Sequence, residues 1–188
     1  MMHAAMPDLT ETPIQSDHLV DGALLQVYRD EVELPDGKTS VREWIDHPGA
    51  AAIVPIFEDG STLLVRQFRY PARRTFLEVP AGKIDAGEPP EEVARRELEE
   101  ETGWRAGHFE HVGASYPCIG YSNEVIHFFV ARELTRGEQN LGAGEFMEVI
   151  QLPFDEAVAQ ARRGELLDMK TVTALTYAAA RIEEVAED

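Results

Sequence analysis

The chain is short of cysteine: Cys118 is the only one. An internal disulfide is therefore impossible and a cysteine-ligated zinc site is excluded, leaving Cys118 with the expectation of a half-buried apolar residue. Basic charge is also scarce, with 17 Lys and Arg against 35 Asp and Glu and a formal net charge of −18 at pH 7. That balance opposes binding to nucleic acid or to an anionic membrane. An anionic small molecule would have to be received locally, by metal and a few arginines. Long apolar runs are missing too. No stretch approaches the ~20 residues of a membrane span, and the N-terminus has no basic region followed by an apolar core, so a cytoplasmic protein is expected. The six histidines show no metal-ligand spacing. Repeats and low-complexity linkers are absent, and 188 residues suit one domain.

What the chain does have is concentrated in Gly82–Trp104, GKIDAGEPPEEVARRELEEETGW. Pro89 and Pro90 suit a first helical turn, where a missing N–H costs nothing, and Glu91 and Glu92 favour the positive end of the helix dipole. The expected helix runs from about Pro89 to Thr102 and stops at Gly103. At roughly 100° per residue, Glu97, Glu100 and Glu101 fall within an arc of about 100°. Ala94 and Leu98 lie beside this stripe and can pack on a sheet, while Glu92, Arg95 and Glu99 point away. Clustered like charges at the edge of a buried face are costly. A hard divalent cation relieves that conflict, since Mg²⁺ takes about six oxygens from carboxylates, water and substrate phosphates. A bare E-x-x-E-E triplet reads better as a solvated acidic face; the further constraints of Gly82, Glu88, Arg96 and Gly103 reverse the balance.

Around this segment the chain reads as helices on a mixed sheet. Residues 1–18 are polar without periodicity and are expected to form a flexible arm. The remainder, 19–188, is expected to be a single domain. Within it, residues 23–46 form a hairpin about the Pro35-Asp36-Gly37 turn. Further strands are expected over Ala51–Ile56, Ser61–Arg69, Thr75–Val79, His108–Ser115, Asn123–Ala131 and Val149–Leu152. Asp155 is placed to cap a helix through Ala161, and a longer helix covers Met169–Ala186.

The order G, five residues, E, seven residues, R-E-L-x-E-E-x-G and a bulky apolar residue resembles the Nudix hydrolases, Mg²⁺-dependent enzymes that cut a nucleoside diphosphate linked to another group. Outside that box the strings HPGAAAIVP (from His47), LVRQFRYP (from Leu64) and FLEVPAG (from Phe76) resemble the ADP-ribose pyrophosphatase branch. The loop Tyr116–Glu124, which is expected to border the substrate, is a longer variant of the branch's loop. The resemblance implies an α/β/α sandwich with a mixed sheet and an N-terminal β-hairpin, acting as a homodimer. It implies that the Ala81 carbonyl and Glu97, Glu100 and Glu101 hold Mg²⁺, or Mn²⁺ in its place. Arg69, whose planar fork suits diphosphate oxygens, is grouped with Arg66, Glu78 and Glu124 as substrate-binding. The general base is expected on the downstream acidic loop, at Glu145 with Glu148 as the alternative, and Glu100 and Arg96 complete the catalytic set. Glu88 and Arg96 are assigned to orienting the carboxylates. The implied reaction is hydrolysis of ADP-ribose to AMP and ribose 5-phosphate. Another nucleoside diphosphate sugar, or a non-catalytic nucleotide-binding module, stands as the alternative.

Overall fold

The computed structural model describes residues 8–187. They form two compact units, one running to His47 and taking in Cys118–Glu124, the other made of Pro48–Pro117 and the chain from Val125 onward.

The first unit is a three-stranded antiparallel sheet in the order β1-β2-β3, with β1 at Thr12–Asp21, β2 at Gln26–Glu33 and β3 at Thr39–Asp46. The hairpin expected over 23–46 is β2–β3. Its turn is closed by the Leu34 N–H on the Lys38 carbonyl at 2.8 Å, and Gly37 supplies the left-handed φ of 79°. The sequence misses β1. Residues 1–7 of the expected arm lie outside the described residues, but from Thr12 the backbone is extended and pairs with β2 from Glu33 back to Gln26. All ten residues of β1 are exposed. A strand with neither face covered carries no apolar alternation to be read.

The second unit stacks helices on both sides of a four-stranded sheet, β7-β4-β9-β8. Here β4 is Ala50–Pro55, β7 Ala81–Lys83, β8 Trp104–Ser115 and β9 Ile126–Arg136. β4 runs parallel to β9 and antiparallel to β7, so the sheet is mixed. Every residue of β4 is buried, as its uninterrupted apolar run requires of a strand covered on both faces. Its side chains alternate between two cores. Ala51 and Ile53 meet Val93, Ala94 and Leu98 of helix α1 (Pro90–Thr102), while Ala50, Ala52 and Val54 belong to the cluster of Phe154, Ala157, Ala174 and Leu175. Those last four lie on α2 (Phe154–Arg162) and α3 (Met169–Glu187). The layering is α/β/α. A separate antiparallel sheet, β10-β5-β6, is built from Met147–Pro153, Ser61–Arg69 and Arg74–Glu78.

α2 begins earlier than Asp155 predicts. Its N-cap is Pro153, without a side-chain cap, because β10 runs straight into the helix and the Phe154 N–H is taken by the Gly60 carbonyl at 3.0 Å. Asp155 sits in the first turn.

Candidate active site

α1 is set by its ends. Pro89 and Pro90 open it, Glu91 and Glu92 occupy the first turn, and Gly103 closes it in the left-handed region at φ 70°, its N–H on the Glu99 carbonyl at 2.8 Å. A Cβ at Gly103 would meet the Gln139 nitrogen at 3.0 Å. The following loop satisfies the other late carbonyls: the Gln139 side chain donates to Glu101 O at 2.7 Å and the Asn140 N–H to Glu100 O at 3.0 Å.

The three box glutamates have different surroundings. Glu101 is 6% exposed and its Oε2 accepts the Ala81 N–H at 3.0 Å. Burial, with help from the charges of Glu97 and Glu145 and against the Ala81 hydrogen bond and Lys170, pushes its carboxyl up to about 8. Glu97 is also raised, by burial first and then by Glu100 and Glu145, although Arg96 opposes this. Its carboxylate lies over Gly82 so closely that a Cβ there would fall 1.9 Å from its carboxyl carbon and Oε1. Glycine at 82 is therefore a matter of space, not of φ. Glu100 stands half-buried on the same stripe.

Arg96 lies across this group. Its Nε and Nη2 donate to the two oxygens of Glu88, each at 3.2 Å, and its Nη1 donates to Glu97 at 2.5 Å and Glu100 at 3.2 Å. The guanidinium holds Glu88 below the usual carboxylate range and is itself raised by its three partners. One guanidinium thus gathers Glu88, Glu97 and Glu100.

Arg69 and Glu78 form a two-pronged pair, Nε to Oε1 at 2.8 Å and Nη2 to Oε2 at 2.7 Å. Glu78 is 2% exposed, and burial raises its carboxyl while Arg69 and Lys170 more than offset the rise. Lys170 and Asp168 are residues the sequence reading missed. Lys170 Nζ bridges Glu78 Oε2 at 2.7 Å and Asp168 Oδ2 at 2.8 Å. Asp168 caps the start of α3 by accepting the Thr171 N–H, and the Thr171 hydroxyl in turn accepts the Val79 N–H at 2.9 Å. Only a partner 92 positions away identifies Lys170, so local spacing could not have found it.

The two acidic candidates for the base separate clearly. Glu148 is tied to Arg66, its register partner across β10 and β5. Glu145 sits on the loop before β10, where its Oε2 accepts the Gly142 N–H at 2.9 Å, and its charge bears on both Glu97 and Glu101. Arg66 is thereby committed to Glu148, while Glu124 lies in the first unit, 3.7 Å from His47 Nδ1. Cys118 is half-buried, as expected.

The donor set can be tested against a metal. Among the described residues no three His, Cys, Asp or Glu side chains stand converged as a ready cluster, although one Arg96 nitrogen draws Glu97 and Glu100 together. The chemistry nevertheless suits a hard divalent cation: carboxylate and carbonyl oxygens only, two of the carboxylates desolvated and mutually repelling, and a glycine that keeps the Glu97 carboxylate close to the Ala81–Lys83 backbone. A cation there would offset the cost that burial places on a charged Glu101.

A family model described as NUDIX domain matches residues 46–174. The chain is 40% identical over 174 residues to an ADP-ribose pyrophosphatase of Bacillus subtilis, covering 92% of this chain and 94% of the relative. It is 37% identical over 169 residues to a methanol dehydrogenase activator of Bacillus methanolicus, covering 89% and 91%. Among solved structures, an ADP compounds hydrolase superposes with a TM-score of 0.82 at 20% identity, covering 94% of this chain and 97% of the other. That last likeness concerns the fold.

Proposed function

The chain belongs to the NUDIX domain family, and from that premise we propose that it hydrolyses ADP-ribose to AMP and ribose 5-phosphate with Mg²⁺, Mn²⁺ serving in its place. The observation that carries this reading is the buried stripe of α1, where Glu97 and Glu101 face the Ala81–Lys83 segment with Gly82 making the room.

Glu97, Glu100, Glu101 and the Ala81 carbonyl would hold the cation, which when bound would supply positive charge against the phosphates and acidify the attacking water. The protein's own groups do the rest. Arg96, itself held by Glu88, hydrogen-bonds Glu97 and Glu100 directly, so both carboxylates are oriented before the substrate arrives. Arg69 has two of its five N–H groups on Glu78, and its side chain is 45% exposed, which leaves donors for a diphosphate. Glu145 takes the proton of the attacking water; its charge reaches Glu97 and Glu101, and its loop position lets it approach the reacting phosphorus.

The test is a panel of nucleoside diphosphate compounds incubated with Mg²⁺ in ¹⁸O-water. We expect ADP-ribose to be cleaved best, with the label in one product phosphate. Preference for a different nucleoside diphosphate sugar would overturn the substrate, and binding without turnover of any member would overturn the reaction.

A homodimer is proposed with this function. β1 is an edge strand exposed along its whole length, with Ile14, Leu19 and Val20 uncovered, and such an edge is suited to cover by a second copy. A monomeric mass by light scattering at micromolar concentration would reject it. A cytoplasmic location is proposed as well, on the ground that the lone Cys118 has no disulfide partner within the chain.

A further inference from the structure

The polar network at the start of α3 lies outside the metal helix, yet it ends on the arginine assigned to the diphosphate. From Asp168 through Lys170 and Glu78 to Arg69 the charges alternate, and each step is a hydrogen-bonded contact: 2.8 Å, 2.7 Å, then the two-pronged 2.7 and 2.8 Å pair. Exposure also changes along it. Glu78 is 2% exposed and Lys170 15%, whereas Arg69 is 45% exposed.

We infer that Lys170 is a positioning residue for the reaction, acting through Glu78 on the Arg69 guanidinium. This rests on the reading of Arg69 as the diphosphate-facing arginine. A guanidinium paired with one buried carboxylate is electrically spent. An anion approaching a neutral Arg–Glu pair gains only the dipole of that pair. Lys170 changes this by sharing Glu78 Oε2, so that Glu78 is balanced from its inner side and the cationic end of the row falls at Arg69. Asp168 balances Lys170 in turn and rests on the α3 N-terminus, where the Thr171 N–H and the helix dipole favour a negative charge. The row therefore has polarity: its negative end is stored at a helix start and its positive end is presented at the half-exposed side. Because Glu78 is gripped from both sides, the Arg69 fork is also fixed in direction, which a diphosphate with two oxygens to meet requires.

A merely structural lysine would affect stability alone, so the test reads substrate affinity. Steady-state kinetics are measured for wild type, Lys170→Met, Lys170→Gln, Lys170→Arg, Arg69→Met and the double variant Lys170→Met/Arg69→Met, on the nucleotide sugar that the wild type cleaves. The two uncharged replacements run in parallel so that the result does not hang on the folding of one. KM should rise about tenfold in Lys170→Met and Lys170→Gln with kcat held within about threefold, and Lys170→Arg should recover most of the loss. In the Arg69→Met background the Lys170 substitution should add less than about twofold, since its route to the substrate is gone. If Arg69→Met raises KM and Lys170→Met does not, or if the two effects multiply in full, the inference is overturned while the Arg69 reading stands. If Arg69→Met leaves KM unchanged, both fall.

Discussion

The Ala81 amide donates to Glu101 Oε2 at 3.0 Å, joining the Ala81–Lys83 strand to the buried end of the α1 carboxylate stripe. A Gln at 101 keeps that hydrogen bond but cannot take up the negative charge that a bound cation would draw from the carboxyl. Glu101→Gln should therefore fold, and its turnover should drop by about 10²–10³-fold, several kcal/mol of lost metal-assisted stabilisation. Thermal melts make the assignment independent of activity. Mg²⁺ should raise the wild-type melting temperature and leave that of the variant almost unmoved, because a ligand stabilises only the state that binds it. Equal Mg²⁺ shifts would remove Glu101 from the ligand set.

Replacing Glu145 by Gln should reduce kcat by about 10²–10⁴-fold, the usual range for a general base, with KM little altered. Glu148→Gln should stay within a few-fold of wild type, because Glu148 spends its charge on Arg66 at an exposed position. Rapid-quench kinetics on both variants check the order, and the opposite ranking would move the base to β10.

Gly82→Ala offers a different perturbation. The added methyl would overlap the Glu97 carboxylate, whose flexible end can yield, so folding should survive with a melting temperature within a few degrees of wild type. The displaced carboxylate can no longer lie against the Ala81–Lys83 backbone. We expect the Mg²⁺ concentration for half-maximal rate to rise about tenfold or more while the rate at saturating Mg²⁺ recovers partly. A Mg²⁺ titration that overlays the wild-type curve would show that Gly82 has no part in the metal shell.

Asp168 gives a prediction in pH. Burial pushes its carboxyl up, but Lys170 and the Thr171 donors more than offset this and hold it below the ordinary carboxylate value. A depressed carboxyl contributes stability above its unfolded pKa of about 3.9, and that contribution is lost as pH falls through the lower folded value. Urea unfolding from pH 7 down to about pH 3 should show wild type converging on Asp168→Asn as the acid limit is approached, with the gap between them widest near neutrality. A gap that is constant across the range would mean that the Asp168 charge is not stabilising.

Much of this was legible in the chain. α1 could be placed to within a residue because its start, stop and apolar face are all local signals: two prolines, a glycine and the spacing of Ala94 and Leu98. β4 is readable from its unbroken apolar run. The stripe of Glu97, Glu100 and Glu101 follows from helical geometry alone. What the chain could not reveal depends on partners far away. β1 carries no alternation because neither of its faces is covered, and α2 starts before Asp155 because a β-strand feeds it directly. Nothing near Lys170 in sequence signals its meeting with Glu78. Arg66 and Arg69, three apart on one strand, are expected on opposite faces, but only the fold names their partners, an exposed glutamate for one and a buried one for the other.

The hydrogen bonds from Gln139 and Asn140 to the last carbonyls of α1 have a mechanical consequence for the loop that follows. They fasten its beginning to the helix that bears the box glutamates, and β10 fastens its end at Met147. Glu145 therefore rides on a tether running only from Leu141 to Phe146, between the end of α1 and the start of β10. A residue so tethered searches a small volume, and as the proposed base it should return near one position in each turnover. Lengthening the span between Asn140 and Glu145 would loosen that return without touching a single reacting group, and the rate would fall through lost orientation.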